Sequence, residues 1–364
     1  MGQTTMPFLD TVREYETLPS EEVRERAWAA RRALGRRAVV LAHHYQTDEV
    51  VEFADFRGDS LELSRVAAAQ RQAEYIVFCG VDFMAESAAI LCSPEQTVLM
   101  PAGDAPCPMA AMVNVEGLHK AWAHLERLWG PGSLTPLVYQ NSSAAVKAFC
   151  GAHGGAVCTS SNAAAAIHWG LQGGKRVFFV PDRYLATNSA ISLGYPHERI
   201  GLWNRKEGRL ETNTSPDELV LVAWDGFCAV HRLFKLEDVQ AIRRQYPDMR
   251  IIVHPECTPD VVQASDSAGS TSYIVREVEQ AAPGSQFAIG TEWHLVQRLA
   301  KENPTKTVIP LRRSACATMA RTDIFNLCYV LEHLAAGKPV QVITVAPEIA
   351  EQARAALQRM LEIR

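Results

Sequence analysis

The chain has 364 residues, of which 48% are hydrophobic and 21% charged, and a net charge of −5. This composition excludes disordered, collagen-like and low-complexity classes. No Lys/Arg run is long enough to track a phosphate backbone and no apolar stretch approaches the roughly 18 residues of a bilayer span, so neither nucleic acid nor a membrane is an expected partner.

At roughly 150 residues per domain the length suggests two or three domains. The start, MGQTTMPFLD, lacks the basic region followed by an apolar one that a secretory signal needs. Nine cysteines, sparse and odd in number, point to reduced thiols and a cytoplasmic setting rather than a disulfide scaffold. Cys79, Cys92, Cys150, Cys158 and Cys328 sit in apolar patterns and read as small buried side chains. Cys107, Cys228, Cys257 and Cys316 follow apolar runs in turn-like sequence.

The first element reads as a helix over 21–34, capped by Ser20 and stopped by Gly35. The last, PEIAEQARAALQRMLEI, is an amphipathic helix with Pro347 near its start. Between them short β-branched runs alternate with helical stretches, which predicts α/β architecture with mainly parallel sheets. Three segments share one order of events. Each opens with a strand and a polar cluster: AVVLA then His43-His44-Tyr45, TPLV then Tyr139-Gln140-Asn141, and RIIV then His254-Pro255-Glu256. Each continues to small hydroxyl residues opening a helix: Gly58-Asp59-Ser60, Thr159-Ser160-Ser161 and Gly269-Ser270-Thr271. The strands YIVFCG, RVFFVP and QFAIG follow, and each segment closes on a strand and a cysteine, Cys107, Cys228 or Cys316. We therefore expect an N-terminal helical segment over 1–35, three similar α/β/α units over 36–130, 131–248 and 249–321, and C-terminal helices over 322–364 packing on the core.

Ligands of open parallel sheets sit beyond the carboxyl ends of the strands, where all these groups fall. Three thiolates without a fourth protein ligand leave one coordination position open, as a catalytic metal site does. The paired spacing of a zinc ribbon and the clustered cysteines of radical enzymes are both absent. An iron–sulfur cluster with one open iron fits, and zinc with three cysteines and a water stays open on this evidence. The hydroxyl clusters at helix starts suit carboxylates or phosphate. His231, three residues after Cys228, and Glu256, beside Cys257, are expected to face the same cavity.

The strings AHHYQ, ADFRGDSLELSR, VDFMAESAAIL, LVYQNSSAAVKA, CTSSNA, WDGFCAVH, VHPEC and SAC, spanning 43–316, resemble the quinolinate synthase A family of NAD biosynthesis. The resemblance implies three α/β domains about a pseudo-threefold axis with the active site in the central cavity. It also implies one 4Fe–4S cluster per chain on Cys107, Cys228 and Cys316, with Cys257 not a ligand. It implies condensation of iminosuccinate with dihydroxyacetone phosphate to pyridine-2,3-dicarboxylate, with loss of phosphate and two waters. His43, Ser60, Tyr139, Asn141, Ser160, His254, Ser270 and Thr271 would then hold carboxylates or phosphate, and Tyr45, His231 and Glu256 would move protons. An aspartate-oxidising enzyme would supply the imine, with transient contact a further expectation. The chain departs from the family pattern at His44, Asp82 and Arg232, and after Cys316 it lacks the usual asparagine-containing run and any further nearby cysteines.

Overall fold

The computed structural model describes residues 7–363. Three mainly parallel sheets are flanked by helices. The first holds β1 (Ala38–His43), β2 (Phe56–Gly58), β3 (Tyr75–Cys79) and β4 (Thr97–Leu99), in the order β2-β1-β3-β4. The second holds β5 (Leu134–Tyr139), β6 (Ala156–Cys158), β7 (Arg176–Val180), β8 (Ile200–Asn204), β9 (Arg209–Glu211) and β10 (Leu221–Trp224), in the order β6-β5-β7-β10-β8-β9. The third holds β11 (Arg250–Val253), β12 (Ser267–Ala268), β13 (Gln286–Gly290) and β14 (Thr307–Pro310), in the order β12-β11-β13-β14.

One four-strand order thus occurs three times, and the fold class is the one the alternating sequence predicts. β1, β5 and β10 are buried along their whole length. A strand covered on both faces needs a continuous apolar run, and these are such runs. β8 alternates part-buried and buried residues and pairs antiparallel with β9. This hairpin is an insertion, and it lengthens the middle copy. In each sheet the chain leaves the first strand for one neighbour and returns to the other side, so a crevice opens at the carboxyl end of the first strand.

The repeat reaches hydrogen-bond detail. Each of the three cysteines is followed, three to five residues on, by a single 3-10 turn: Ala110–Met112, His231–Leu233 and Met319–Arg321. Seven residues after each cysteine stands a helix N-cap: Asn114, Lys235 and Asp323. The N–H groups of Asp82, Arg183 and Trp293 donate to the carbonyls of Ala105, Gly226 and Ser314, each two residues before a cysteine. In the first copy Val40 N–H donates to the Asp55 carboxylate at 2.7 Å, and in the third Ile251 N–H donates to Asp266 at 2.7 Å.

The chain divides into two compact units, one comprising the chain up to residue 58 with 62–105 and 317–344, the other 59–61, 106–316 and 345–364. The first is built on β1–β4. Its core joins Val40, Val77 and Leu99 of the sheet to Leu34, Leu327 and Leu331 of helices Ser20–Leu34 and Ile324–Ala335. The second holds the other two sheets, with cores around Leu137, Phe179 and Leu221 and around Ile251, Val253 and Ala288. Helix Pro347–Glu362 packs there on helix Ala144–Ala152. Gly151 permits that approach, because a Cβ at this position would overlap the Gln352 carbonyl oxygen.

Ser20 is not a cap. It is the first helical residue, Pro19 holds the cap position without a side-chain bond, and the Pro19 carbonyl accepts from Val23 N–H at 3.1 Å. The helix simply begins one residue earlier than the cap rule implies. Gly35 ends it at φ +52°, a conformation suited to glycine. No helix of the described residues is long and apolar enough to cross a membrane.

Candidate active site

None of the nine cysteines is in a disulfide; six are buried, and Cys107, Cys228 and Cys316 are part-exposed. All three belong to the second unit. Surrounding protein mass pushes the Cys107 thiol up to about 12, and the charges of Cys316 and Glu256 add to that push. Burial likewise drives Cys228 well up, with Glu256, Cys316 and Cys107 contributing. The neighbouring charges thus oppose ionisation of Cys107 and Cys228, and a bound cation would relieve that opposition. Cys257 is fully buried in the core of the third sheet.

Glu256 and His231 lie beside this group. Nδ1 of His231 is 2.5 Å from Oε2 of Glu256, and Nε2 is 3.0 Å from the Thr291 hydroxyl. His254 stacks on His231 with ring centroids 4.2 Å apart. Its Nδ1 accepts the Glu256 backbone N–H at 3.3 Å. Asn188, on helix Arg183–Ser192, donates at 2.8 Å to the carbonyls of both Pro255 and Cys257 and so clamps the turn that carries Glu256. Burial alone would raise the Glu256 pKa. The charges of His231 and His254 overcome it, with bonds from His231 and Tyr139, and hold the carboxyl well below its usual range. Asp182 is also fully buried, and burial together with the Glu256 charge drives its carboxyl far up. The N–H groups of Leu185, Tyr184 and Cys228 bond to the Asp182 carboxyl and oppose that push. Donor atoms of Cys228, His231 and Glu256 all lie within 4.8 Å of one another, so this trio has the geometry to hold a metal ion.

The hydroxyl clusters differ among themselves. Ser60 is the first residue of helix Ser60–Ala69, and the neighbouring Asp59 accepts from Leu61 N–H at 2.9 Å. Asp59 also accepts a 2.5 Å bond from the Ser161 hydroxyl, tying the first cluster to the second. Ser160 does not open a helix, because a turn separates it from helix Ala163–Gly170, whose N-cap is Asn162. Ser270 caps helix Thr271–Gln280, accepting from Tyr273 N–H at 3.2 Å, and Thr271 is that helix's first residue. Tyr139 is buried at the end of β5, and Asn141 is part-exposed two residues on.

His43 and Tyr45 belong to the first unit. Nδ1 of His43 accepts the Tyr45 backbone N–H at 3.1 Å, the arrangement His254 makes with Glu256. The three departures have local accounts. His44 lies 4.0 Å from Glu62, Asp82 accepts from Phe83 N–H at 2.7 Å at a helix start, and the Arg232 guanidinium lies over the Phe227 ring.

Sequence reasoning did not single out Asp182, Asn188, Thr291 or Glu292. A signal was present for two of them: Asp182 and Glu292 each follow a strand by one or two residues and open a helix, the pattern of an acidic N-cap.

A family model described as "Quinolinate synthetase A protein" matches residues 27–362. The quinolinate synthase of Anoxybacillus flavithermus is 46% identical to the chain, covering 97% of it and 96% of its own length. That of Geobacillus thermodenitrificans is 46% identical over 96% of each. That of Halalkalibacterium halodurans is 44% identical over 98% of this chain and 100% of its own.

Proposed function

The chain belongs to the quinolinate synthetase A family of enzymes, and we propose that it condenses iminosuccinate with dihydroxyacetone phosphate to quinolinate, releasing phosphate and two waters. The observation that supports this reading is the buried His231–Glu256 pair beside Cys228, one of the three part-exposed thiols. Three soft sulfur donors, distant in sequence, suit an iron–sulfur cluster, and Cys107, Cys228 and Cys316 would hold it. A bound 4Fe–4S cluster with one open iron supplies a Lewis acid toward a substrate hydroxyl or carboxylate.

Glu256, favoured as a carboxylate and enclosed, is the base. His231, whose Nδ1 lies 2.5 Å from that carboxylate and whose other nitrogen is oriented by Thr291, holds it in place for the transfer. His254 shields the opposite side of the pair by stacking. The roles of Tyr45 in proton transfer, and of His43, Ser60, Tyr139, Asn141, Ser160, His254, Ser270 and Thr271 in holding carboxylates or phosphate, rest on the family resemblance. The unit boundaries at 36–130, 131–248 and 249–321 rest on the threefold order of strands, hydroxyl clusters and cysteines, and the cytoplasmic setting on the sparse, odd-numbered cysteines. The imine hydrolyses in water, so an aspartate-oxidising enzyme is the expected source.

A second reading has its own support. One metal ion on Cys228, His231 and Glu256 would use donors already gathered. It would also have to part the 2.5 Å His231–Glu256 pair, which favours the three-thiolate site. Anaerobic purification with iron, sulfide and zinc counted beside a quinolinate assay decides between them. We expect iron and sulfide together with activity, both lost in Cys107→Ser, Cys228→Ser and Cys316→Ser and iron retained in Cys257→Ser. Activity in a zinc-loaded, sulfide-free protein would reverse the choice.

A further inference from the structure

Two fully buried acidic side chains each join a helix start to the backbone of one of the cysteines. Oδ1 of Asp182 accepts the N–H of Leu185 at 2.7 Å, capping helix Arg183–Ser192, while Oδ2 accepts the N–H of Cys228 at 3.1 Å. Oε2 of Glu292 accepts the N–H groups of His294 at 2.8 Å and Leu295 at 3.4 Å, capping helix Trp293–Glu302. Its Oε1 accepts the N–H of Cys316 at 3.2 Å and lies 2.9 Å from Nδ1 of His294. Both residues are 0% exposed.

Capping alone does not call for a buried carboxylate. Asn114, Ser143 and Ser270 cap helices of the same unit with neutral side chains, and a neutral cap avoids the cost of desolvating a charge. What an acidic side chain adds is a second oxygen, and in both places that oxygen takes the cysteine's own N–H. The repeat register makes the two residues equivalent, since the next N–H in each case binds the carbonyl two residues before the cysteine. In the first copy Val81 holds the cap position with no side-chain bond, so the device is present in the second and third copies.

We propose that Asp182 and Glu292 are positioning residues that fix the Cys228 and Cys316 loops for cluster binding. The inference rests on the reading of those cysteines as cluster ligands. Groups that orient metal ligands from behind typically govern affinity by about 10–100-fold.

The test is Asp182→Asn and Glu292→Gln, singly, in the full chain. An amide has one acceptor oxygen, so one of the two backbone segments must face an NH₂ group. Asp266→Asn is the control, an isosteric swap that costs the bond to Ile251 N–H and the Arg243 pair without touching a cysteine loop. Anaerobic protein is challenged with an iron chelator, and the dithionite-reduced protein is examined by electron paramagnetic resonance. Both variants are expected to release iron about ten-fold faster than wild type and to show an altered resonance line shape. Asp266→Asn should keep both at wild-type values despite a comparable loss of thermal stability. Wild-type release and an unchanged line shape in either soluble variant would overturn the inference. If wild type holds no iron and sulfide, the cluster reading fails first, and Cd²⁺ titration of the same thiols becomes the measure. A ten-fold weaker Cd²⁺ affinity in the variants then supports positioning, and equal affinity refutes it.

Discussion

Burial drives a carboxyl toward its neutral form, and Glu256, only 2% exposed, meets that pressure in full. Two imidazoles reverse it, so Glu256 remains the base form at every pH above the ordinary carboxyl value of 4.5. Glu256→Gln keeps the shape and the bond to His231 but cannot take a proton. We expect it to retain iron and substrate binding while turning over at least about 100-fold more slowly. Near-normal quinolinate formation with a full complement of iron would remove Glu256 from the chemistry and leave Tyr45 and His231. Sequence pointed to Glu256 and His231 because each stands near a cysteine. It was silent on Asp182 and Asn188, whose partners lie 46 and 67 to 69 residues away. No local pattern states which distant N–H or carbonyl a cap will also serve.

Helices Ser20–Leu34 and Ile324–Ala335 of the first unit are joined by polar as well as apolar contacts. Glu332 accepts from the Tyr15 hydroxyl at 2.6 Å and from Arg26 at 2.9 and 2.7 Å. The Arg26 bond holds the Glu332 pKa below 4.5, burial opposes it, and the Tyr15 bond helps to lower it. A depressed carboxyl stabilises above its unfolded value and loses that contribution as pH falls through the folded one. Glu332→Gln is therefore expected to cost about 1 kcal/mol near neutrality, a modest figure because both partners are partly solvated. Thermal unfolding should show the gap to wild type closing as pH drops below 4.5; a gap independent of pH would mean the charge contributes nothing. In the second unit Gly151→Ala tests the contact with helix Pro347–Glu362. Alanine favours an open helix by roughly 1 kcal/mol, whereas overlap with the Gln352 carbonyl predicts a loss of about 1–3 kcal/mol, so the sign of the Tm shift decides. Buried strands such as β5 and β7 were legible as continuous apolar runs. β2, β6 and β12 were not, because a two- or three-residue edge strand offers too few side chains for a pattern.

At the scale of the whole molecule, the proposed cluster would sit on loops rather than in a core. Each sheet carries its own apolar packing, around Val40 and Leu331 in the first unit and around Phe179 and Ile251 in the second. No disulfide ties these elements among the described residues. The cysteine loops are further held by backbone bonds that need no metal, from Asp82 to Ala105, Arg183 to Gly226 and Trp293 to Ser314. Oxygen or a chelator should therefore remove the cluster and the activity while leaving the fold. Bound to the native state alone, the cluster still adds stability by mass action, so the stripped protein should melt at a lower temperature yet as cooperatively. The measurement is far-UV circular dichroism at 25 °C alongside the visible absorbance during air exposure. Bleaching without loss of helix signal is the expected result. Loss of both signals in step would make the cluster a structural element of the fold, as in small metal-dependent domains that unfold without their ion.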